Sequence, residues 1–201
     1  MLAPRIPDMP VGDSSPPTAR PWQVLGKKVI YSSPWLSLEL WDLRLPDGSR
    51  IPEHHVVTFP QPAVGVIPLG EDGRVLLADH YRFQTDSRGW EVPAGAVVVD
   101  ETVEAAARRE LLEEVGSTAE AVEIVSRYHP SNGSSNQVFY LALARGVRQV
   151  TDDVDRNETL GLRWFALSEV RELLAAGEIL DGLSYTGLLW LLAGGRAVPG
   201  G

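Results

Sequence analysis

Three glutamates, Glu110, Glu113 and Glu114, stand close together in the stretch "RRELLEEVG", with Arg109 directly before them. At about 100° per residue of an α-helix, the three carboxylates fall within an arc of roughly 100°, and Arg109 is spaced for an i,i+4 contact with Glu113. Carboxylates on one helix face repel one another unless a cation neutralises them. Mg²⁺ prefers oxygen ligands and commonly bridges protein carboxylates to substrate phosphates. The cluster therefore indicates a divalent-metal site that neutralises a phosphate group, with a solvated acidic helix face as the alternative.

The glutamates need a helix to hold them, and residues 103–115 predict one because they lack proline and glycine and are rich in Ala, Leu, Arg and Glu. Asp100 or Thr102 can cap the start of this helix, and Gly116 stands where a glycine commonly ends one. The side opposite the glutamates is apolar and is expected to pack against a sheet through Leu111, Leu112 and Val115.

Predicted β-strands precede and follow this helix. Their residues alternate between apolar and polar or form short apolar runs, and Asp47-Gly48 and Asp72-Gly73 mark turns. The strand regions are residues 22–59, 63–83, 121–130, 136–147 and 159–167.

Two further helices are predicted near the end of the chain. Ser168 is placed to cap a helix over residues 169–177 that ends at Gly177, and residues 184–194 form a last, mostly apolar helix. Strands mixed with about three helices predict an α/β sandwich in one domain.

The composition narrows the possible partners. The chain has 201 residues, no cysteine and a formal net charge of −9. The absence of cysteine excludes disulfides and thiol catalysis and fits a reducing cytoplasm, which is the location we expect. The acidic balance argues against a nucleic-acid partner, and no apolar run approaches the roughly 20 residues that span a membrane. We expect a flexible arm at residues 1–21 and a loose tail at residues 196–201.

The stretch around the glutamates resembles the signature of the Nudix hydrolases, G-x5-E-x7-R-E-U-x-E-E-x-G-U, in which U is a bulky aliphatic residue. The matching residues, at every required spacing, are Gly95, Glu101, Arg109, Glu110, Leu111, Glu113, Glu114 and Gly116. Only the last position differs, because Ser117 stands where an aliphatic residue packs in the family. The resemblance implies a Nudix-type α/β/α sandwich with a mixed sheet, and an enzyme that cleaves a nucleoside diphosphate linked to another group.

The same resemblance assigns roles to individual residues. Glu110, Glu113 and Glu114 match the family's metal-binding carboxylates. Arg109 matches the residue that orients a glutamate, and Glu101 the residue that steadies the loop or an outer metal. The expected cofactor is Mg²⁺, with Mn²⁺ possible, because metals that bridge pyrophosphate oxygens stabilise developing negative charge and help to form a nucleophilic hydroxide.

Most of residues 22–195 resemble one branch of this family, the ADP-ribose and nucleoside-diphosphate-sugar pyrophosphatases. The stretch "SSPWLSLELWDLRLPDGSRIPEHHVV" resembles the branch's N-terminal sheet, and "HYRF" followed by "WEVPAG" resembles its characteristic pair of segments. The match implies that the carbonyl of Ala94 is a metal ligand and that Arg82 and Glu91 bind the substrate. For Arg82, a surface arginine at a strand end is the alternative.

Hydrolysis also needs a base for the attacking water, and the branch takes it from a loop after the sheet. The matching loop here is residues 151–158, in which Glu158 is the first candidate. Asp152, Asp153 and Asp155 compete with it, and Glu113 matches the base of some relatives.

The sequence thus predicts a Mg²⁺-dependent hydrolase of ADP-ribose or a related nucleotide sugar. Residues 22–60 are expected to form a strand element that contributes to a homodimer, and residues 61–195 a Nudix domain. A different nucleotide, such as a UDP- or GDP-sugar or an oxidised nucleoside triphosphate, stays open because the loop after Pro130 is neutral where the branch often carries an acidic residue. A non-catalytic module that binds a nucleotide or RNA is the alternative from another class.

Overall fold

The computed structural model describes residues 22–154 and 159–195. The expected arm of residues 1–21 and the expected tail of residues 196–201 lie outside this described part of the chain. The described residues divide into two compact units: residues 22–61 with 131–137, and residues 62–130 with 138–154 and 159–195.

The first unit contains three strands, β1 (Gln23–Ser32), β2 (Ser37–Arg44) and β3 (Arg50–Thr58). They form an antiparallel sheet in the order β1-β2-β3. The predicted Asp47-Gly48 turn joins β2 to β3: the Asp47 carboxylate accepts a hydrogen bond from the Ser49 amide at 2.9 Å, and Gly48 has a φ of 85°. Every residue of β1 is exposed to solvent.

The second unit is built around a mixed sheet of seven strands. They are β4 (Ala63–Leu69), β5 (Val75–Arg82), β6 (Ser87–Glu91), β7 (Ala94–Ala96), β9 (Ala121–Tyr128), β10 (Phe139–Arg145) and β12 (Thr159–Phe165). The order is β12-β5-β4-β10-β9, with β6 beside β5 and β7 beside β4. Only β4 and β10 run parallel among the described strand pairs of this sheet. A separate pair is formed by β8 (Ser117–Thr118) and β11 (Arg148–Gln149).

The helix that carries the glutamates, α1 (Val103–Val115), has the predicted bounds. Its N-terminal cap is Thr102 rather than Asp100, because Oγ1 of Thr102 accepts a hydrogen bond from the Ala105 amide at 3.1 Å. Gly116 ends the helix in the left-handed conformation, with a φ of 61°.

The other two helices begin earlier than predicted. For α2 (Leu167–Ala176), the prediction that Ser168 is the cap was wrong: Ser168 lies in the first turn, and Glu169 instead accepts a hydrogen bond from the Ala166 amide at 2.8 Å. Gly177 ends this helix as predicted. The last helix, α3 (Gly182–Leu192), is capped by Asp181, whose Oδ1 accepts hydrogen bonds from the amides of Leu183 and Ser184.

Two hydrophobic layers cover the seven-stranded sheet, which confirms the predicted sandwich. Neighbouring residues of a strand point to opposite faces, so Leu76 and Ala78 of β5 join the layer under α1, whereas Leu77 joins the layer under α2 and α3. Leu111 of α1 is fully buried, but Leu112 is 42% exposed. The expectation that Leu112 packs against the sheet was wrong, since one residue further along a helix is a rotation of about 100°.

Within residues 22–154 and 159–195, no helix has the length and apolar character that crossing a membrane requires.

Candidate active site

The three glutamates of α1 lie in different environments. Glu110 and Glu114 are 7% and 5% exposed, whereas the side chain of Glu113 is 57% exposed. At about 100° per residue, Glu110 and Glu114 point only about 40° apart, whereas Glu113 points about 100° away from Glu114. The structure thus divides the predicted cluster into two buried carboxylates and one that is open to water.

The two buried carboxylates rest against the backbone of β7. Oε2 of Glu114 accepts a hydrogen bond from the Ala94 amide at 3.2 Å. A methyl group on Gly95 would lie 1.9 Å from Oε1 of Glu110, which is closer than any Cβ can approach an oxygen. Gly95 is therefore the residue that lets the Glu110 carboxylate lie beside the strand.

Arg109 connects Glu101, Glu110 and Glu113 of the signature. Its Nε and Nη2 donate to the two oxygens of Glu101 at 3.0 Å each, and its Nη1 donates to Glu110 at 2.5 Å and to Glu113 at 3.1 Å. Nη2 also donates to the Ala96 carbonyl at 2.9 Å. The i,i+4 contact between Arg109 and Glu113 is thereby confirmed, and the guanidinium uses its fixed geometry to connect α1 to the loop before it.

Within this network the pKa of Glu101 is lowered, whereas the pKa values of Arg109 and Glu110 are raised. Hydrogen bonds from Arg109 lower the pKa of Glu101, and the hydrogen bond to Glu101 helps to raise the pKa of Arg109. Burial raises the pKa of Glu110, although the hydrogen bond from Arg109 opposes this shift. A buried carboxylate that still faces like charges favours an additional cation beside it.

Arg82 and Glu91, the predicted substrate-binding residues, form an ion pair with each other. Nε of Arg82 lies 3.1 Å from both carboxylate oxygens of Glu91, and Nη2 lies 2.5 Å from Oε2. Glu91 is 3% exposed, whereas Arg82 remains partly accessible. The hydrogen bond from Glu91 raises the pKa of Arg82, so this arginine keeps its charge at the rim of a cavity of about 260 Å³.

Two residues of this region were not identified from the sequence as site residues. His80 of β5 is 1% exposed; its Nδ1 lies 3.6 Å from Oε2 of Glu91, and its Nε2 lies 4.0 Å from Oε2 of Glu114. Thr159, the first residue of β12, pairs with His80 across the strands. A strand histidine and a strand threonine separated by 79 residues carry no sequence signal of a shared site.

The loop of residues 151–158, which contains the predicted candidates for the catalytic base, is only partly described. Glu158 and Asp155 lie outside the described residues. Asp152 accepts a hydrogen bond from Nε2 of Gln149 at 2.8 Å, and the Asp153 amide donates to Oγ1 of Thr151. The first residue of this loop lies beside the C-terminal end of α1 in space: the amide of Thr151 donates to the Gly116 carbonyl at 3.1 Å.

The donor set suits a hard divalent cation. Glu110, Glu113 and Glu114 on α1 and the backbone of Ala94 on β7 carry oxygen atoms, the kind of ligand that such a cation prefers. Glu110 and Glu113 bond to Arg109, and among residues 22–154 and 159–195 no three acidic or histidine side chains share a common point that can hold an ion. The fit therefore rests on the chemistry of the donors and on the close approach of the Glu110 carboxylate to the backbone at Gly95.

Two protein-family models match this chain, one over each of its two parts. The model for the NUDIX domain matches residues 59–183, and the model for the nucleoside diphosphate sugar hydrolase N-terminal domain matches residues 22–57. The chain belongs to the Nudix hydrolase family. The matched regions place the first sheet in the N-terminal domain and the signature helix in the Nudix domain.

Individual relatives cover most of this Nudix hydrolase. It is 34% identical over 181 residues to the CMP-5'-(N-acetyl-N-hydroxy-3-aminopropyl)phosphonate hydrolase of Streptomyces rubellomurinus, an alignment that spans 89% of this chain and 87% of the relative. It is 25% identical to the ADP-ribose pyrophosphatase of Mycobacterium tuberculosis, over 84% of this chain and 82% of the relative. A crystal structure of an ADP compounds hydrolase shares the fold, with a TM-score of 0.76, 22% identity, and coverage of 88% of this chain and 97% of that one.

Proposed function

We propose that this Nudix hydrolase is a Mg²⁺-dependent enzyme that cleaves ADP-ribose, or a related nucleoside diphosphate sugar, to a nucleoside monophosphate and a sugar phosphate. The observation that carries the proposal is the seating of the buried Glu110 and Glu114 carboxylates against the backbone at Ala94 and Gly95. The similarity to ADP-ribose pyrophosphatases from Mycobacterium tuberculosis and Bacillus subtilis supports this choice of substrate class.

In this proposal, Glu110, Glu113, Glu114 and the Ala94 carbonyl hold Mg²⁺, or Mn²⁺ in its place. A metal held there would polarise phosphoryl oxygens and lower the pKa of a water molecule. Arg109 keeps the carboxylates in position through its contacts with Glu110 and Glu113. Its positive charge also balances part of their negative charge.

Arg82 supplies the positive charge that a pyrophosphate requires. Because two of its nitrogens bond to Glu91, the guanidinium is fixed in orientation and still presents remaining N–H donors. Glu91 is thus a substrate-site residue that acts by orienting Arg82. Such a fixed cation stabilises negative charge that develops on phosphate oxygens during the reaction.

The hydrolytic step needs one proton acceptor. The water oxygen forms a bond to one phosphorus, the bond from that phosphorus to the bridging oxygen breaks, and the bridging oxygen leaves on the other phosphate. Glu158 is the first candidate to accept the proton from water, and it directly precedes the buried Thr159. Glu113 is the second candidate because its carboxylate is open to water.

A second substrate class is supported by the most identical of the relatives described above. That protein is named for a CMP-linked phosphonate. A CMP-linked phosphonate and ADP-ribose both join a nucleoside 5'-phosphate to a second phosphorus group, so the same carboxylates and Arg82 suit either. The second candidate function is therefore hydrolysis of a cytidine 5'-phosphate conjugate.

We also propose that residues 22–60 contribute to a homodimer. Exposed apolar side chains on β1, among them Val29, Ile30 and Tyr31, support this proposal. Large exposed apolar patches are typical of surfaces that bind another protein chain.

The test is hydrolysis of a substrate panel by the native chain and by Glu114→Gln, with Mg²⁺, Mn²⁺ or EDTA. The panel contains ADP-ribose, UDP- and GDP-sugars, a CMP-linked phosphonate and an oxidised nucleoside triphosphate, with products separated by ion-exchange chromatography. The proposal expects ADP-ribose to be cleaved fastest, and only with metal. A preference for the CMP conjugate selects the second candidate, and no turnover of any compound contradicts both.

A further inference from the structure

The side chains of His80 and Thr159 meet at the end of α1 that carries Glu114. Nε2 of His80 lies 3.3 Å from Oγ1 of Thr159, and that hydroxyl donates to the Glu114 carbonyl at 3.0 Å. Both side chains are buried, with His80 at 1% and Thr159 at 5% exposure. The two hydrogen bonds therefore form in a water-poor environment, where their geometry is held firmly.

The direction of these bonds follows from the number of protons available. A threonine hydroxyl has one hydrogen, and here it is directed to the Glu114 carbonyl. The hydroxyl can then only accept from His80, so Nε2 of His80 carries a hydrogen and donates it. His80 thus orients the hydroxyl, and the hydroxyl satisfies a carbonyl near the helix end.

The Glu114 carbonyl needs such a partner from outside the helix. The last four carbonyl groups of an α-helix have no intrahelical donor, and Glu114 is the second-last residue of α1. Thr159 supplies that donor from β12. Its contact therefore links the backbone of a proposed metal ligand to the neighbouring strand.

We propose that His80 and Thr159 are positioning residues for the hydrolysis reaction: they fix Glu114 in the orientation that binds the metal. The inference rests on the proposed role of Glu114 as a metal ligand. His80 and Thr159 act on Glu114, whereas Arg109 contacts Glu101, Glu110 and Glu113. The two sets of contacts are therefore separate. Outer-shell partners of metal ligands typically contribute about 10–100-fold to metal affinity or activity.

The test compares Thr159→Val, which removes the hydroxyl but keeps the shape, with Thr159→Ser, which keeps the hydroxyl. Mn²⁺ affinity is measured by electron paramagnetic resonance without substrate, and kcat and KM are measured on the fastest compound of the panel. We expect Thr159→Val to weaken Mn²⁺ binding and lower kcat about tenfold, with KM nearly unchanged. Thr159→Ser should stay close to the native values.

Ser117→Ala is the matched control, because Ser117 is a buried residue whose hydroxyl donates to the neighbouring Val115 carbonyl of α1 at 3.0 Å. If loss of any hydroxyl at this helix end gave the same decrease, the effect would be structural and the inference overturned. The histidine is tested by coupling: in a His80→Leu background, Thr159→Val should cause much less further loss of Mn²⁺ affinity.

The outcomes separate this inference from the proposed function. A native chain that binds Mn²⁺ and hydrolyses the panel, with Thr159→Val unchanged in both properties and only its melting temperature lowered, overturns the positioning role alone. A native chain that neither binds Mn²⁺ nor turns over any compound overturns the metal role of Glu114 and this inference together. Loss in Thr159→Val with recovery in Thr159→Ser supports the inference.

Discussion

The two sheets of this protein are both built from strands rich in Val, Leu and Ile, yet they differ in burial. In the seven-stranded sheet, β4, β5 and β10 are buried almost throughout. In the three-stranded sheet, β1 is exposed along its whole length. The larger sheet has α1 on one face and α2 and α3 on the other, whereas no described helix belongs to the smaller unit.

This difference agrees with the two roles proposed above for the two units. The described candidate residues for chemistry, including Arg82, Glu110 and Glu114, all belong to the unit with the covered sheet. A covered sheet holds charged side chains at fixed positions because the packed core resists deformation. The open sheet instead presents apolar surface, which is the property that an interface requires.

The largest expected effect is on the covered unit. Glu114→Gln keeps the shape and the possibility of a hydrogen bond from the Ala94 amide but removes the charge. We expect kcat to fall by more than about 100-fold, beyond the usual effect of an outer-shell residue, while the melting temperature changes little. Steady-state kinetics and thermal unfolding check this, and near-native turnover would exclude Glu114 as a metal ligand.

A pair of glycine variants sharpens the comparison between the sheets. A Cβ on Gly95 meets the Glu110 carboxylate, whereas a Cβ on Gly26 of β1 has no heavy atom within 4 Å beyond its own chain neighbours. Gly95→Ala should lower kcat about 10–100-fold, the range typical of changing a residue that holds a metal ligand in place. Gly26→Ala should leave kcat unchanged, since the strand has room for a methyl group. Equal effects of the two variants would contradict the assignment of the site.

The exposed strand leads to a prediction about assembly. Replacing Val29 and Tyr31 of β1 together with aspartate should halve the molar mass of the proposed homodimer, because charge on an apolar interface disfavours association. Leu189→Asp, at an exposed apolar position of α3, serves as the control. Size-exclusion chromatography with light scattering gives the mass. A native chain that is monomeric at micromolar concentration would remove the dimer proposal.

The smallest expected effect is on how the free energy of unfolding changes with pH. Asp181 in the larger unit and Asp42 in the smaller unit should change it in opposite directions. Burial raises the pKa of Asp181 above its model-compound value of 3.8, whereas the hydrogen bond from Arg50 in the smaller unit lowers the pKa of Asp42 below it. Asp181 therefore makes the native state relatively less stable as pH rises above about 3.8 towards its folded pKa. Asp42 contributes stability above about 3.8 and loses it as pH falls through its folded pKa.

Urea unfolding between pH 3 and 6 can measure this contrast with Asp181→Asn and Asp42→Asn. Asparagine keeps the acceptor that caps α3, so Asp181→Asn should gain stability relative to the native chain as pH rises. As pH rises, Asp42→Asn should instead become less stable relative to the native chain. The same sign for both variants would disprove the assigned environments.

Much of the fold was predictable because its signals are local. The bounds of α1 follow from a run of helix-forming residues between Thr102 and Gly116, and the Asp47-Gly48 turn follows from turn chemistry. Ser168 was a misleading signal, because a serine at the start of a helical run can lie inside the first turn when a later glutamate bonds to the preceding amide.

The sequence by itself determined the family signature, the helix that carries it and the chemical type of its ligands, because each depends on residue types at short spacing. Only the tertiary structure decided that Glu110 and Glu114 are buried while Glu113 is open to water, and that His80 and Thr159 meet beside Glu114. The physical reason is that burial and long-range hydrogen bonds depend on which strands become neighbours, and strand pairing joins residues that are far apart along the chain.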